Sequence, residues 1–394
     1  MIRTYKYLLR PTSEQEQSLD YLLWQSRRLY NVALEQRINV YQETGKGINY
    51  QAQWAHFRDM RHSEPETFGK LNATSMQQLL RRLDKAFSAF FRRLKAGETP
   101  GFPRFKGRNR FKSMEYTYSD GCKLRCNEQG RFAFYVQNVG EMRMCYHRAI
   151  PENASIKHVV VKCVNNRWYA CLMIEVPDRP IAPRTKPRAI GVDVGLKSLL
   201  ALSDGSLIEN PRWLRESLAE LRVVQRKASR RMKGSNRRRK AYEQVAKLYE
   251  HITNQRNDYL HKITNTLVSE YSLIGIEDLT LAFMNRNRSL ALSSHDAGLG
   301  MFRQLLQYKA EEAGTLVVAV NPAYTSQVCS GCGEIVQKDL SVRIHECPSC
   351  GLVLDRDTNA ARNILSLALK KQPGWGCQDV TWAAAPCVSR EAAA

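Results

Sequence analysis

The chain has 394 residues, more than one hydrophobic core usually serves, so two or three domains are expected. Apolar residues make up 43%, which excludes a wholly disordered chain, and with no apolar run of 18 residues a membrane span is not expected. Lys and Arg number 60 against 38 Asp and Glu; the resulting net charge of +22 points to a polyanionic partner, nucleic acid first, with a solvated basic face as the alternative.

Residues 1–10 read as a strand, and their Arg and Lys content lacks the apolar core of a signal peptide. From Ser13 to Arg93 the pattern is mainly helical, with Leu79, Leu80, Leu83, Phe87, Phe90 and Phe91 on one broad face and Arg81, Arg82, Lys85, Arg92 and Arg93 mainly on the other. Pro100 and Pro103 break it. The loop that follows carries Arg104, Lys106, Arg108, Arg110 and Lys112 between Phe102, Phe105 and Phe111; these aromatics either stack on bases or anchor the loop. Met114–Val176 is strand-like, so a helical block is inserted between strands of one small barrel. Pro177, Pro180, Pro183 and Pro187 mark a domain boundary.

The second half alternates. Residues 188–196 predict a strand ending in a glycine turn, with hairpin partners at 198–203 and 207–208, and a long basic helical stretch runs from Trp213 to Glu270. Between Arg222 and Lys240 lie ten basic residues and no acidic one, densest at Arg230, Arg231, Lys233, Arg237, Arg238 and Arg239; phosphate contact is the favoured reading. Strands are expected at 272–277 and 315–320, helices at 296–313 and from Asp357 onward, and a patternless, mobile tail at 371–394.

Cys329 and Cys332 form one Cys-x-x-Cys pair, Cys347 and Cys350 another, 14 residues apart. Two such knuckles turn four sulfurs toward one point and suit a structural Zn²⁺ with no open position. His345 reads as a surface residue rather than a further ligand. The other seven cysteines show no metal spacing, as expected of a cytoplasmic chain with reduced thiols.

Three carboxylates stand at expected element ends: Asp193 near the end of an apolar strand, Glu277 at the end of another, and Asp357 at the start of the last helix. Singly, each has a bland reading: a turn residue, a solvated acid, a helix N-cap. Together, in this order, three acids can hold two Mg²⁺ or Mn²⁺ ions for an in-line phosphodiester displacement.

Ile190-Gly-Val-Asp-Val-Gly, Gly275-Ile-Glu-Asp-Leu and Asp355-Arg-Asp-Thr-Asn-Ala-Ala-Arg-Asn-Ile, with a zinc ribbon just before the last, resemble the TnpB family of transposon-encoded RNA-guided nucleases, related to type V CRISPR effectors. Gly101-Phe-Pro-Arg-Phe-Lys and Asp296-Ala-Gly-Leu-Gly add to the resemblance, which spans roughly residues 1–370. It implies a mixed α/β architecture: an RNase H-like RuvC nuclease domain (184–323 and 353–370) with an inserted four-cysteine ribbon (324–352). It also implies a wedge-like β-barrel (1–10 and 114–183) interrupted by a helical recognition domain and basic loop (11–113). The catalytic triad would be Asp193, Glu277 and Asp357 rather than their neighbours Asp278 and Asp355, and Tyr50, Gln77 and Thr117 match positions that contact a transposon-adjacent DNA motif. The implied partners are a guide RNA from the transposon end, one protein chain per RNA, and a double-stranded DNA target that pairs with the guide. The rival readings are a DNA transposase using the same acids for strand transfer, an RNA-guided binding regulator, and a compact type V CRISPR effector.

Overall fold

The computed structural model describes residues 1–177, 187–279, 287–339 and 342–372; nearly all of the expected tail, and Pro180 and Pro183, lie outside them. The chain divides into two compact units, residues 1–179 and 180–394.

The first unit is built on β1 (Ile2–Arg10), which lies between β7 (Arg167–Glu175) and β5 (Gly140–Cys145). Alternation along β1 buries Tyr5, Tyr7 and Leu9, each contributing roughly 1.5–3 kcal/mol of burial energy. The Tyr7 hydroxyl donates to the Arg148 carbonyl at 2.7 Å, so its polar end is not left orphaned. With β2 (Ser113–Thr117), β3 (Cys122–Cys126), β4 (Phe132–Val136) and β6 (Ser155–Val164) the full order is β2-β6-β7-β1-β5-β4-β3, all antiparallel. The sheet is a half-barrel rather than a closed one. Among the described residues β2 pairs only with β6 and β3 only with β4, and the turn at 118–121 joins these two edge strands.

Between β1 and β2 the chain forms α1 (Ser13–Thr44), α2 (Tyr50–Ser63) and α3 (Ala73–Lys95). Thr12 and Gln15 close a capping box at the start of α1. Arg37, almost wholly buried, ties the three helices together: its guanidinium donates to Gln53 of α2 and to Asp84 of α3, both at 2.9 Å. A buried charge is tolerated there because it is paired and bonded.

The second unit holds a five-stranded sheet ordered β10-β9-β8-β11-β12: β8 (Ala189–Val194), β9 (Ser198–Leu202), β10 (Leu207–Glu209), β11 (Leu273–Glu277) and β12 (Leu316–Val320). β8, β11 and β12 run parallel; β9 and β10 are the predicted hairpin additions. The expected long helix is instead three: α4 (Trp213–Glu216), α5 (Leu218–Ser229) and α6 (Asn236–Glu270). α5 and α6 form a helical hairpin whose turn, residues 230–235, falls within the basic run. Then follow α7 (Arg288–Ala297), α8 (Leu299–Ala313), and, after the cysteine segment with its short ladder β13 (Ile344–Glu346) and β14 (Val353–Asp355), α9 (Arg356–Lys370).

Sheet parity sorts the core. Ile190, Val192 and Ile274 pack with Leu260, Ile263 and Leu267 of α6 and Phe302 and Leu306 of α8. Ala189 and Leu273 face α9, with Ile364, Leu365 and Ala368. On that second face α9 lies unusually close. A Cβ at Gly191 would stand 2.0 Å from the Ala361 carbonyl oxygen, and one at Gly275 2.9 Å from the Ala368 Cβ. The glycines on two adjacent strands are what let the helix backbone rest on the sheet.

Candidate functional site

The same parity that places Gly191 and Gly275 under α9 puts Asp193 and Glu277, two residues on, toward that helix at the carboxyl ends of neighbouring parallel strands. Ligands of open α/β sheets collect at such strand ends. α9 begins one turn before Ala361, so its first turn brings Asp357 to the same end. The helix N-cap is Asp355, whose carboxylate accepts from the Asp357 and Thr358 N–H groups at 2.9 and 3.2 Å. Asp357 is thereby free of the capping task that its position suggested.

Electrostatics ties the three together. Burial first, then the Glu277 and Asp357 charges, push the Asp193 carboxyl up to about 8. Burial also raises Glu277, opposed by a hydrogen bond from the Thr325 hydroxyl. Asp357 lies against its neighbour Arg356, with both Nε and Nη2 at 3.2 Å, and 3.7 Å from Arg343. By contrast Asp278 turns outward, 63% exposed, to pair with Arg303 at 2.6 Å. Two of the three carboxylates, Asp193 and Glu277, lack such a partner among the described residues, and a set of oxygen donors like this suits a hard divalent cation. Thr325, Arg343 and Arg356 touch these acids, and Asn359 and Asn363 hold the 325–330 backbone; the sequence singles out none of the five, and only the spacing of the two asparagines, one turn apart on one helix face, offers a signal.

The four cysteines converge. Their sulfurs all lie within 4.8 Å of one another, with Cys329–Cys350 at 3.6 Å and Cys332–Cys347 at 3.5 Å. A tetrahedron of ~2.3 Å Zn–S bonds has S···S edges of about 3.8 Å, whereas a disulfide needs ~2.05 Å, so the sulfurs fit zinc. Both knuckles repeat one pattern. The first Cys N–H bonds to the carbonyl five residues on, and its own carbonyl accepts from the N–H four residues on, at Cys329/Glu334/Gly333 and Cys347/Leu352/Gly351. Among the described residues no other group of three or more His, Cys, Asp and Glu gathers its ligand atoms so tightly; the three carboxylates stand wider. His345 is a correction: it is fully buried, with Lys338 against its Nδ1, because β13 turns it under the ribbon.

The basic run surrounds the α5–α6 turn. Arg230, Arg231, Lys233, Arg237 and Arg239 are exposed, and Arg226, Lys227, Arg230 and Arg231 line a shallow groove beside Val223. Arg238 differs. It is half-buried, donates to the Arg231 carbonyl at 2.9 Å and stacks on Tyr242, so it holds the turn. In the first unit Arg104 and Arg108 are exposed, while the Lys106 backbone is clasped on both sides by the Asn31 amide. Phe102 packs edge-on to Phe87 and Phe90 and Phe111 is buried; both anchor the loop, and Phe105 is exposed. α3 links the remaining three predicted residues. Tyr50 lies under Arg81, one turn beyond Gln77, and β2, which Thr117 ends, packs on α3.

Three family descriptions match the chain: "Probable transposase" over residues 171–288, "Cas12f1-like, TNB domain" over 300–364, and "Helix-turn-helix domain" over 1–46. A protein of Streptomyces pristinaespiralis named "Putative RNA-guided DNA endonuclease" is 34% identical over 381 residues, 93% of this chain and 89% of its own. The chain belongs to the TnpB family. InsQ of Escherichia coli K12, a TnpB relative of the same description, is 29% identical over 93% of this chain and 92% of its own. The TnpB chain also shares its fold with Cas12f1 in a complex with single-guide RNA and target DNA (TM-score 0.60, 18% identity, 89% and 82% of the two chains). A mini-RNA-guided endonuclease, CRISPR-Cas_phi3, gives a TM-score of 0.57 at 9% identity, over 94% and 92%. The fold is thus mixed α/β, like that of these effectors. Residues 1–46 are one strand and one unbroken 32-residue helix, so the helix-turn-helix description does not match what they form.

Proposed function

We propose that this protein is an RNA-guided DNA endonuclease that cuts double-stranded DNA beside a short transposon-adjacent motif, using a single RuvC-type site. The observation that carries this is the gathering of Asp193, Glu277 and Asp357 at one end of a glycine-lined sheet, in a chain 34% identical to a relative of that description. Asp193 and Glu277 on the strands and Asp357 on α9 would hold Mg²⁺ or Mn²⁺. When bound, two such ions supply a polarised water and charge stabilisation for the departing 3′ oxygen. Asp193 gives up its proton as cations bind, and Thr325 keeps the Glu277 carboxylate in place. The four cysteines hold a structural Zn²⁺ beside this centre.

In this reading the seven-stranded sheet is the wedge, α1–α3 the recognition domain, and the sheet of the second unit with α9 the nuclease domain. The exposed arginines of the α5–α6 turn and the Arg104–Arg108 loop grip phosphates of the guide and its duplex, which carries affinity without sequence information. Tyr50, Gln77 and Thr117 read the flanking motif. The guide RNA comes from the transposon end, one chain serves each RNA, and the complex works in the cytoplasm. No helix among the described residues is long and apolar enough to cross a membrane.

The test is cleavage of plasmid DNA carrying a guide match and flanking motif by the protein with its co-purified RNA and Mg²⁺. Linear product that disappears with a mismatched guide or with chelator is expected. Guided binding without cutting would favour the regulator, and joining of DNA ends would favour the transposase.

Two further outcomes follow. Replacing Arg230, Arg231 and Arg237 together by Ala should weaken RNA binding uniformly across sequences. It should also flatten the slope of log affinity against log salt by up to about 3 on duplex RNA, as filter binding at several salt concentrations would show. The second concerns pH. Folded Asp193 keeps its proton up to about 8, whereas in the unfolded chain it ionises near its ordinary 3.8. Between those values the folded state binds more protons, so without divalent cations stability should fall as pH rises from 4 to 8. Mg²⁺ should abolish this fall, and its affinity should rise with pH until about 8. Thermal unfolding across that range, with and without Mg²⁺, checks both; parallel curves would contradict the assignment.

A further inference from the structure

Two asparagines of α9 join the zinc ribbon to the carboxylates. Asn359, fully buried, accepts from the Ser330 N–H at 2.9 Å and donates to the Val328 carbonyl at 2.8 Å. Asn363, one turn on, donates to the Thr325 and Val328 carbonyls at 2.9 and 2.6 Å. Segment 325–330 therefore has its backbone clasped by α9 at three points, and it carries the zinc ligand Cys329. The same segment supports Glu277: the buried Thr325 hydroxyl, 3.0 Å from the Pro322 carbonyl, donates to the Glu277 carboxylate. From the other side the ribbon ladder β13–β14 runs straight into α9, where the Arg356 N–H bonds to the Arg343 carbonyl at 2.7 Å and Arg343 reaches Asp357. Both ends of the cysteine module thus bear on carboxylates, Glu277 through one knuckle and Asp357 through the helix that the module is bolted to.

We propose that Thr325, Asn359 and Asn363 are positioning residues that couple the four-cysteine centre to the carboxylate centre. They make the cation affinity of Asp193, Glu277 and Asp357 depend on an intact first knuckle. This rests on the nuclease reading, and the residues act through others rather than on DNA. Neither amide can be replaced by its acid. Asn363 faces two carbonyls and needs two donors; Asn359 needs a donor and an acceptor at once. Groups that fix a metal's ligands in this way alter metal affinity by about 10–100-fold when removed.

The experiment is Mn²⁺ binding to the full-length protein without nucleic acid, followed by calorimetry and by the loss of free-Mn²⁺ paramagnetic signal, with zinc content measured in parallel. Thr325→Val keeps the shape and removes the hydroxyl; Thr325→Ser keeps the hydroxyl. Asn363→Asp removes both donors. Thr325→Val and Asn363→Asp should weaken Mn²⁺ binding by about 10–100-fold. Thr325→Ser should bind close to the unaltered protein, with zinc retained in all. Equal weakening in Thr325→Ser and Thr325→Val, or unchanged affinity in Thr325→Val while Asp193→Asn loses binding, would overturn the positioning role and leave the nuclease reading standing. Identical Mn²⁺ binding by the unaltered protein and Asp193→Asn would instead remove the cation site and, with it, both. Should Asn363→Asp fail to fold, the Thr325 pair decides alone.

Discussion

Asp193→Ala is expected to cut DNA at least about a thousandfold more slowly than the unaltered protein, which amounts to roughly 4 kcal/mol of lost transition-state stabilisation. Guided DNA binding should remain near normal, because phosphate grip is assigned to basic surfaces that the change does not touch. The size follows from position. Asp193 is the central acid of the three: both Glu277 and Asp357 raise it, and the nearby Arg356 charge opposes them more weakly than burial and those two acids raise it. A second consequence has the opposite sign. At pH 8 without divalent cations, Asp193→Ala should be more stable than the unaltered protein, since a buried acid repelled by two others has gone. Gel-based cleavage, filter binding and thermal unfolding on one preparation test all three. Cleavage at the unaltered rate would remove Asp193 from the chemistry.

Gly191→Ala is expected to lose both stability and activity, although it adds only one methyl group and removes no charge. The added Cβ would meet the Ala361 carbonyl oxygen at 2.0 Å. Both partners belong to the backbone, so no rotamer change relieves the clash. α9 has to lift from the sheet by more than 1 Å, at a cost of about 3 kcal/mol, the upper end of what overpacking usually costs. The lifted helix carries Asp357, and a displacement of that size costs on the order of a hundredfold in rate. Gly275→Ala meets a side-chain methyl at 2.9 Å instead and should be milder. Gly47→Ala, with nothing within 4 Å, should be close to neutral. Chemical denaturation of the three variants gives the ranking; equal stability of Gly191→Ala and Gly47→Ala would contradict the described seating of α9.

Where local chemistry decides an outcome, the sequence was readable. Apolar runs ending in an acid marked β8 and β11, and two matched knuckles marked the sulfur cluster. The end of β1 and the start of α9 came within a residue or so. What escaped depends on neighbours distant in sequence. The turn at 230–235 is the exception and did carry a local signal, Gly234 at φ +88° and Ser235 as the α6 N-cap, which the dense basic run on either side overshadowed. The choice of Glu277 over Asp278 comes from the family resemblance alone; its physical reason, sheet parity, gives two adjacent residues opposite faces. His345 reads as a surface group in the sequence because a three-residue strand between cysteines shows no pattern that would bury it. Thr325, Asn359 and Asn363 are ordinary polar residues until the ribbon folds against α9.

Guided targeting is the central claim, and it is tested most directly by purifying the protein expressed from its native locus and sequencing the RNA that accompanies it. The account predicts one defined species that maps across the 3′ end of the gene and ends in a segment lying beyond the transposon boundary. Bulk cellular RNA with no defined species would contradict it, return the basic turn of α5 and α6 to non-specific binding, and bring the transposase reading forward.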